Sequence, residues 1–488
     1  MKKKVIAILL VFVLLLCGCH TDENASSQPV NCSHADEDDN GTCDLCSANV
    51  VVTIDLYHVN DLHGKIADGE EHPGVDELST YLQRARDKSE NMLLLSSGDM
   101  WQGSNESNMT GGLIVTDWMN EMHFAAMTLG EHELGWGEER ILENLEQANF
   151  PFLAINVYDW ETDRQVSYCQ SSTLINFGSV QIGVIGAVGD SYSDISPDRV
   201  ENIYFKTGEE LTELIKEESR RLRARGAEFV VLSMHNGYDL DYYDISLSCG
   251  YVDLVLEGRS HQKYELKDPR GVYHLQGGGD NQAINHAKIW INSVTGTHFV
   301  TDQVFLNTST YDEMRPDSIV DRLLRKYEAQ IAPSKETIGY NQSELDRDQL
   351  RKTVAQLYLW EGMQKWGREY DIVLAGGMLS IRSPYVLQSG DVNYAMLQTL
   401  FPQENELMLC SLRGSELDKL FISVENKNFF IARADDRSIE PEAIYFVVID
   451  AYTYSLVSDY VTLVARYGAG VYARDLLADY IAAGKLAE

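Results

Sequence analysis

The sequence predicts an α/β protein of two units: a larger one in which helices cover a pair of mixed sheets, and a smaller α/β unit after it. Three observations carry that prediction. The chain has 488 residues, too many for one hydrophobic core. From Val51 onward, short apolar runs alternate with longer amphipathic ones, as in layered α/β folds. Polar motifs containing Asp and His follow several of the apolar runs, and open α/β sheets build their sites at such strand ends.

Taken in order, Lys2, Lys3 and Lys4 precede an apolar run, Val5 to Leu16, too short to span a bilayer, so residues 1–18 read as a leader. Leu16-Cys17-Gly18-Cys19 resembles a bacterial lipoprotein signal. That resemblance implies lipidation at Cys19 and an exported chain anchored at the outer face of the cell membrane; an ordinary cleaved signal is the alternative. Residues 19–50 are acidic and nearly free of large apolar side chains, which predicts a stalk without a core of its own. Within it, Cys32, His34, Cys43 and Cys46 have the spacing of one tetrahedral zinc site. Disulfides in an oxidising compartment are the equal alternative. A calcium loop through Asp36, Asp38, Asn40, Gly41 and Asp44 comes third, because Ser47 stands where the twelfth-position acid belongs. Cys169, Cys249 and Cys410 are isolated and read as buried thiols.

Strands are predicted at Val51 to His58, Met92 to Ser97, Phe152 to Val157, Val180 to Ile185, Phe229 to Met234 and Val252 to Leu256, all short and apolar. Helices fall between them at Asp76 to Lys88, Gly112 to Met122, Glu138 to Ala148 and Glu209 to Arg225. A polar amphipathic run, Tyr311 to Lys335, follows a first domain at 51–310. The second domain, 336–488, has a helix-like run at Asp346 to Trp366 and strands at Asp371 to Ala375, Glu406 to Leu412 and Ile444 to Asp450. Acidic residues outnumber basic ones 75 to 40, a net charge of −35, which argues against a general nucleic-acid binder.

Five motifs concentrate the chemistry: Asn60-Asp61-Leu62-His63-Gly64, Gly98-Asp99, Gly130-Glu131-His132-Glu133, Ser233-Met234-His235-Asn236-Gly237 and Gly258-Arg259-Ser260-His261. Asp and His hold hard or borderline divalent cations. In order and content the motifs resemble the calcineurin-like metallophosphoesterases, in the branch with a 5′-nucleotidase C-terminal domain. The resemblance implies a four-layer sandwich, a connecting helix at 311–335 and a site for one or two divalent ions (zinc, manganese or similar). By motif, Asp61, His63, Asp99 and His261 would hold the first ion. Asp99 would bridge to a second, with His235 and Glu131 as further ligands. His132 would face the scissile phosphate as acid or stabiliser.

Three positions depart from the pattern. Glu131 stands for an asparagine ligand, and Arg259 for a histidine, although arginine cannot ligate a metal. Gly135 replaces the aspartate that would orient His132, so nothing in the motif fixes the tautomer of that ring. A bidentate Glu131–Arg259 pair would explain the first two; Arg259 would then fill the second metal position and hold a phosphate oxygen in catalysis. Decay of an unused site explains them as well.

In the second domain Arg347, Arg351, Arg382 and Asn405 match residues that grip a nucleotide in the family. Gln403 stands for a stacking phenylalanine, Ala375 for an asparagine, and Gly468-Ala469-Gly470 for a longer glycine element, with Tyr467 and Tyr472 as candidate partner aromatics. The resemblance thus implies an extracytoplasmic phosphoesterase acting on nucleotides or a related small phosphate ester. Its rivals are a surface lipoprotein that binds such a ligand without hydrolysing it, and an interaction module using the acidic faces and the stalk.

Overall fold

The computed structural model describes residues 32–68, 73–189, 195, 199–236, 250–307, 318–378, 381–382, 384–417, 429–468 and 472–485. The leader with Cys19, Cys249, residues 311–317 and Ala469-Gly470 lie outside the described residues.

Two six-stranded sheets frame the first unit, which also holds a small three-stranded sheet. In spatial order one runs His298–Asn307, Ala283–Asn292, Val51–Val59, Met92–Ser96, Ala126–Thr128 and Phe152–Leu153. The other runs Lys263–Lys267, Tyr273–Gly277, Leu254–Glu257, Phe229–His235, Val180–Val188 and Ser172–Phe177. Both are mixed. Val51–Val59 pairs parallel with Met92–Ser96 and antiparallel with Ala283–Asn292, while Phe229–His235 pairs parallel with both neighbours.

Alternation within each strand decides what goes where. Ile54 and Leu56 pack between the sheets, in one core with Ile182, Val184, Phe229 and Val231. Tyr57 and Val59 point the other way, into a layer of helices. Helix Asp76–Lys88 contributes Leu78 and Leu82 there, one turn apart on its buried face. Helix Gly208–Ala224 covers the opposite sheet with Leu211, Ile215 and Leu222. The result is helix, sheet, sheet, helix. Each fully buried leucine contributes about 2 kcal/mol to it.

The second unit has a five-stranded sheet in the order Phe429–Arg433, Ile372–Met378, Ile444–Asp450, Leu407–Arg413 and Thr462–Arg466. Helix Arg347–Trp366 packs on one face through Leu350, Val354, Leu357 and Tyr358. Asp346 caps this helix by accepting from the Gln349 N–H, so the helix starts one residue after the run read from sequence.

The strand expected at Phe152 to Val157 ends at Leu153, and Val157–Asp159 belongs to a separate three-stranded sheet; two further expectations need correction. The run expected as a single connecting helix is broken. Ile319–Lys326 and Glu328–Ile331 are separate helices, followed by a 3₁₀ turn at Ala332–Lys335 that contains Pro333. Its apolar residues Ile319, Val320, Leu323 and Ile331 join the helix layer of the first unit, and the Tyr327 hydroxyl donates to Asp117 at 2.8 Å. The stalk, for its part, is docked where it is described. Asp36 is buried and accepts from the Asn292 side chain at 2.6 Å, so this segment borrows burial from the first unit. No helix among the described residues is long and apolar enough to cross a membrane.

Candidate metal centre

The loops after Val51–Val59 and Met92–Ser96 are braced against each other. The Asp61 N–H donates to the Gly98 carbonyl and the His63 N–H to the Asp99 carbonyl, both at 3.0 Å. Asp61, His63, Asp99, Arg259 and His261 all have left-handed backbones, with φ of 50°, 48°, 53°, 84° and 54°. Such conformations in residues other than glycine collect at functional sites, where surrounding contacts hold them. Gly98 and Gly130 are required by close approach. A Cβ on Gly98 would lie 2.7 Å from the Gly130 nitrogen, and one on Gly130 would lie 2.2 Å from Asp99 Oδ1.

These loops bring together the side chains that the motifs single out. Ligand atoms of Asp61, His63 and His261 lie within 4.8 Å of one another, as do those of Asp61, Asp99 and His235. His63 and His261 face each other with Nε2 atoms 2.9 Å apart. His63 Nδ1 lies 3.0 Å from the Gln102 carbonyl, an acceptor, so Nδ1 carries the proton and Nε2 presents a lone pair. His235 is set the same way: Nδ1 donates to the Ser97 carbonyl at 2.5 Å. Its Nε2 lies 3.2 Å from Asp99 and 2.6 Å from Glu131.

Carboxylates and imidazole nitrogens converging on one point fit a divalent cation. The electrostatics agree. Burial pushes the Asp61 carboxyl up to about 7, against the pull of His235 and His261. Burial also drives His63 well below the usual imidazole range, helped by His132 and His261. For His235 burial acts downward, but Asp99 and Glu131 outweigh it and raise the ring well above that range. The site therefore attracts positive charge, whether a proton or a metal.

His132 has an orienting partner that its own motif lacks. Its Nδ1 bonds Gln102 Oε1, which leaves Nε2 toward the cleft; the tautomer is thus fixed from another loop, a correction to the reading based on Gly135. The expected Glu131–Arg259 pair does not occur among the contacts of the described residues. Glu131 turns to His235 instead, while the Arg259 backbone N–H donates to both Asp61 oxygens at 2.9 Å.

Residues of the second unit close the cleft. Arg382, Tyr385 and Pro402 line it together with His63, His132 and His261. Arg347 is exposed and lies over the Tyr385 ring at 5.1 Å. Arg351 is buried, over the Phe430 ring at 5.3 Å. Asn405 is half-buried at the end of the 401–405 loop. Arg474 holds that loop through the carbonyls of Phe401, Pro402 and Gln403 and the Glu404 carboxylate. Tyr467 bonds Glu361 and packs on Trp366, and Tyr472 accepts from Arg199. Among the described residues that line the cleft, the tyrosine is Tyr385, which sequence reasoning missed. Cys32, His34, Cys43 and Cys46 form a separate cluster.

Sequence reasoning also gave Glu133 no role. It is fully buried and accepts the backbone N–H groups of Asp99, Met100, Trp101 and Gly130, so it shapes the loop that carries Asp99. Its place as the third residue of the helix that begins at Glu131 was the available signal.

Fold and site define a metal-dependent phosphoesterase class. Residues 54–277 match the Calcineurin-like phosphoesterase family, and this part of the chain is a calcineurin-like phosphoesterase domain. An apyrase of Tabanus yao is 22% identical over 420 residues, covering 77% of this chain and 74% of the apyrase. A snake venom 5′-nucleotidase of Crotalus adamanteus is 28% identical over 221 residues, but that match spans only 37% of the venom protein and 43% of this chain. Among solved structures, a 5′-nucleotidase precursor from Thermus thermophilus superposes with a TM-score of 0.69 at 18% identity, covering 89% of this chain and 97% of that one; at this identity the likeness is one of fold. Residues 54–277 thus form a metallophosphoesterase domain, of a hydrolase class that uses divalent metals, and the chain as a whole resembles 5′-nucleotidase.

Proposed function

We propose that the protein releases phosphate from a nucleotide or a related small phosphate ester outside the cytoplasm. The observation that carries this reading is the meeting of His132 and Arg382, from different units, beside the Asp61, His63 and His261 cluster. A divalent cation held by Asp61, His63, Asp99 and His261, with a second served by Asp99, His235 and Glu131, would polarise a phosphoryl oxygen and make water more acidic. Arg382 binds the phosphate charge, and Arg347 and Tyr385 hold the rest of the substrate. Water adds to phosphorus and loses a proton to solvent, the ester P–O bond breaks, and the His132 imidazolium, its Nδ1–H held on Gln102, gives its Nε2 proton to the departing oxygen. Arg259 acts through its backbone, fixing Asp61. The basic leader and Cys19 support export and a lipid anchor.

A second reading rests on the 2.6 Å contact between His235 and Glu131. If that imidazolium–carboxylate pair persists with metal present, the second position stays closed and the protein binds phosphate esters without turnover. A phosphate-release screen over nucleotides, cyclic nucleotides and nucleotide sugars with added manganese, cobalt or zinc decides between them. Release by wild type and not by His132→Ala supports hydrolysis; equal silence of the two removes it.

A further inference from the structure

The four-residue cluster in segment 32–50 lies apart from the phosphoesterase centre. Cys32 Sγ and Cys43 Sγ are 3.7 Å apart, and Cys46 Sγ is 3.5 Å from His34 Nδ1. All four ligand atoms lie within 4.8 Å of one another. A disulfide needs sulfurs about 2.05 Å apart. Tetrahedral zinc, with Zn–S of about 2.3 Å and Zn–N of about 2.0–2.1 Å, places its sulfurs about 3.8 Å apart and sulfur about 3.5 Å from nitrogen. The separations are those of the coordinated arrangement.

We propose that Cys32, His34, Cys43 and Cys46 bind one structural zinc ion that locks the N-terminal segment onto the phosphoesterase domain. Four protein ligands leave no open position, which is the mark of a structural rather than a catalytic zinc.

The fold around the cluster gives the ion its structural task. Asp36 accepts the N–H groups of Asn40 and Gly41, and Asp44 that of Glu37, so the acidic residues hold the loop between the two ligand pairs. Asp36 and Asp39 both accept from the Asn292 side chain, and Asp39 also from Thr295. Thr42 bridges to Asn49, just before the strand Val51–Val59 begins. The cluster thus sits between the N-terminal segment and the hairpin turn after Ala283–Asn292.

Cobalt substitution in the full chain tests the site independently of activity, because thiolate-to-cobalt charge transfer cannot come from the Asp and His ligands of the other centre. The chain is stripped of metal under reducing conditions and titrated with cobalt chloride. The charge-transfer band is expected in wild type and lost in Cys46→Ser. In His34→Cys, which keeps four ligands and adds a thiolate, it should grow by about a third. A wild type without the band, a band unchanged in Cys46→Ser, or peptide mapping of the unreduced protein that recovers Cys32 joined to Cys43 by a disulfide would each overturn the site.

Discussion

Arg382 Nη2 lies 3.4 Å from His132 Nε2, although 250 positions separate the two residues. One comes from the second unit and the other from the short helix Glu131–Gly135 that follows Ala126–Thr128, so the cleft is built by both. Further contacts hold them in register: Asn108 donates to Gln398 at 3.0 Å, and Arg199 donates to Tyr472 at 3.0 Å.

Removing that guanidinium should impair substrate capture more than folding. For Arg382→Ala, kcat/KM for phosphate release is expected to fall by about 10–100-fold, the worth of a charge-assisted hydrogen bond of about 1.5–3 kcal/mol. Steady-state kinetics and a melting curve check this together. A loss of activity that follows a large fall in Tm would assign Arg382 a structural role instead.

Glu133 makes a different prediction. Glu133→Ala leaves four buried N–H groups without their acceptor and should cost about 3 kcal/mol or more in denaturant unfolding. Metal affinity should fall with it, since Asp99 rides on the loop that those bonds shape. Unchanged stability would show that the loop holds its form without this carboxylate.

Burial pushes His58 down to about 4; the ring lies between Asn285 at 3.1 Å and Ser97 at 2.7 Å. A depressed imidazole means that the unfolded chain binds the proton first. The stability is therefore complete above the unfolded value near 6.5 and is lost as pH falls toward 4, by about 3 kcal/mol in all. Unfolding of wild type and His58→Gln at about pH 7 and pH 5 should show a steeper acid loss in wild type. Parallel losses would contradict the assignment.

Much of this was legible in the sequence because periodicity and burial coincide. The run read as Asp76 to Lys88 is the helix observed, and Ile444 to Asp450 is the strand observed. Strands such as Ser172–Phe177 escaped notice because they lie at a sheet edge, half-buried along most of their length. The helix from Tyr311 was overread: a polar amphipathic run does not reveal that Tyr327 will turn to Asp117. Within the site, motif residues could be read but their supports could not. Gln102 orients His132 from another loop, and a partner remote in sequence leaves no spacing to find. Tyr385 likewise enters the cleft through tertiary placement and a left-handed backbone, with φ of 66°.

The central claim is that Asp61, His63, Asp99 and His261 enclose a cation. Anomalous diffraction from crystals soaked in manganese tests it most directly. A peak within coordinating distance of all four side chains is the predicted result. Saturating manganese with those side chains well ordered and no peak among them would contradict the account.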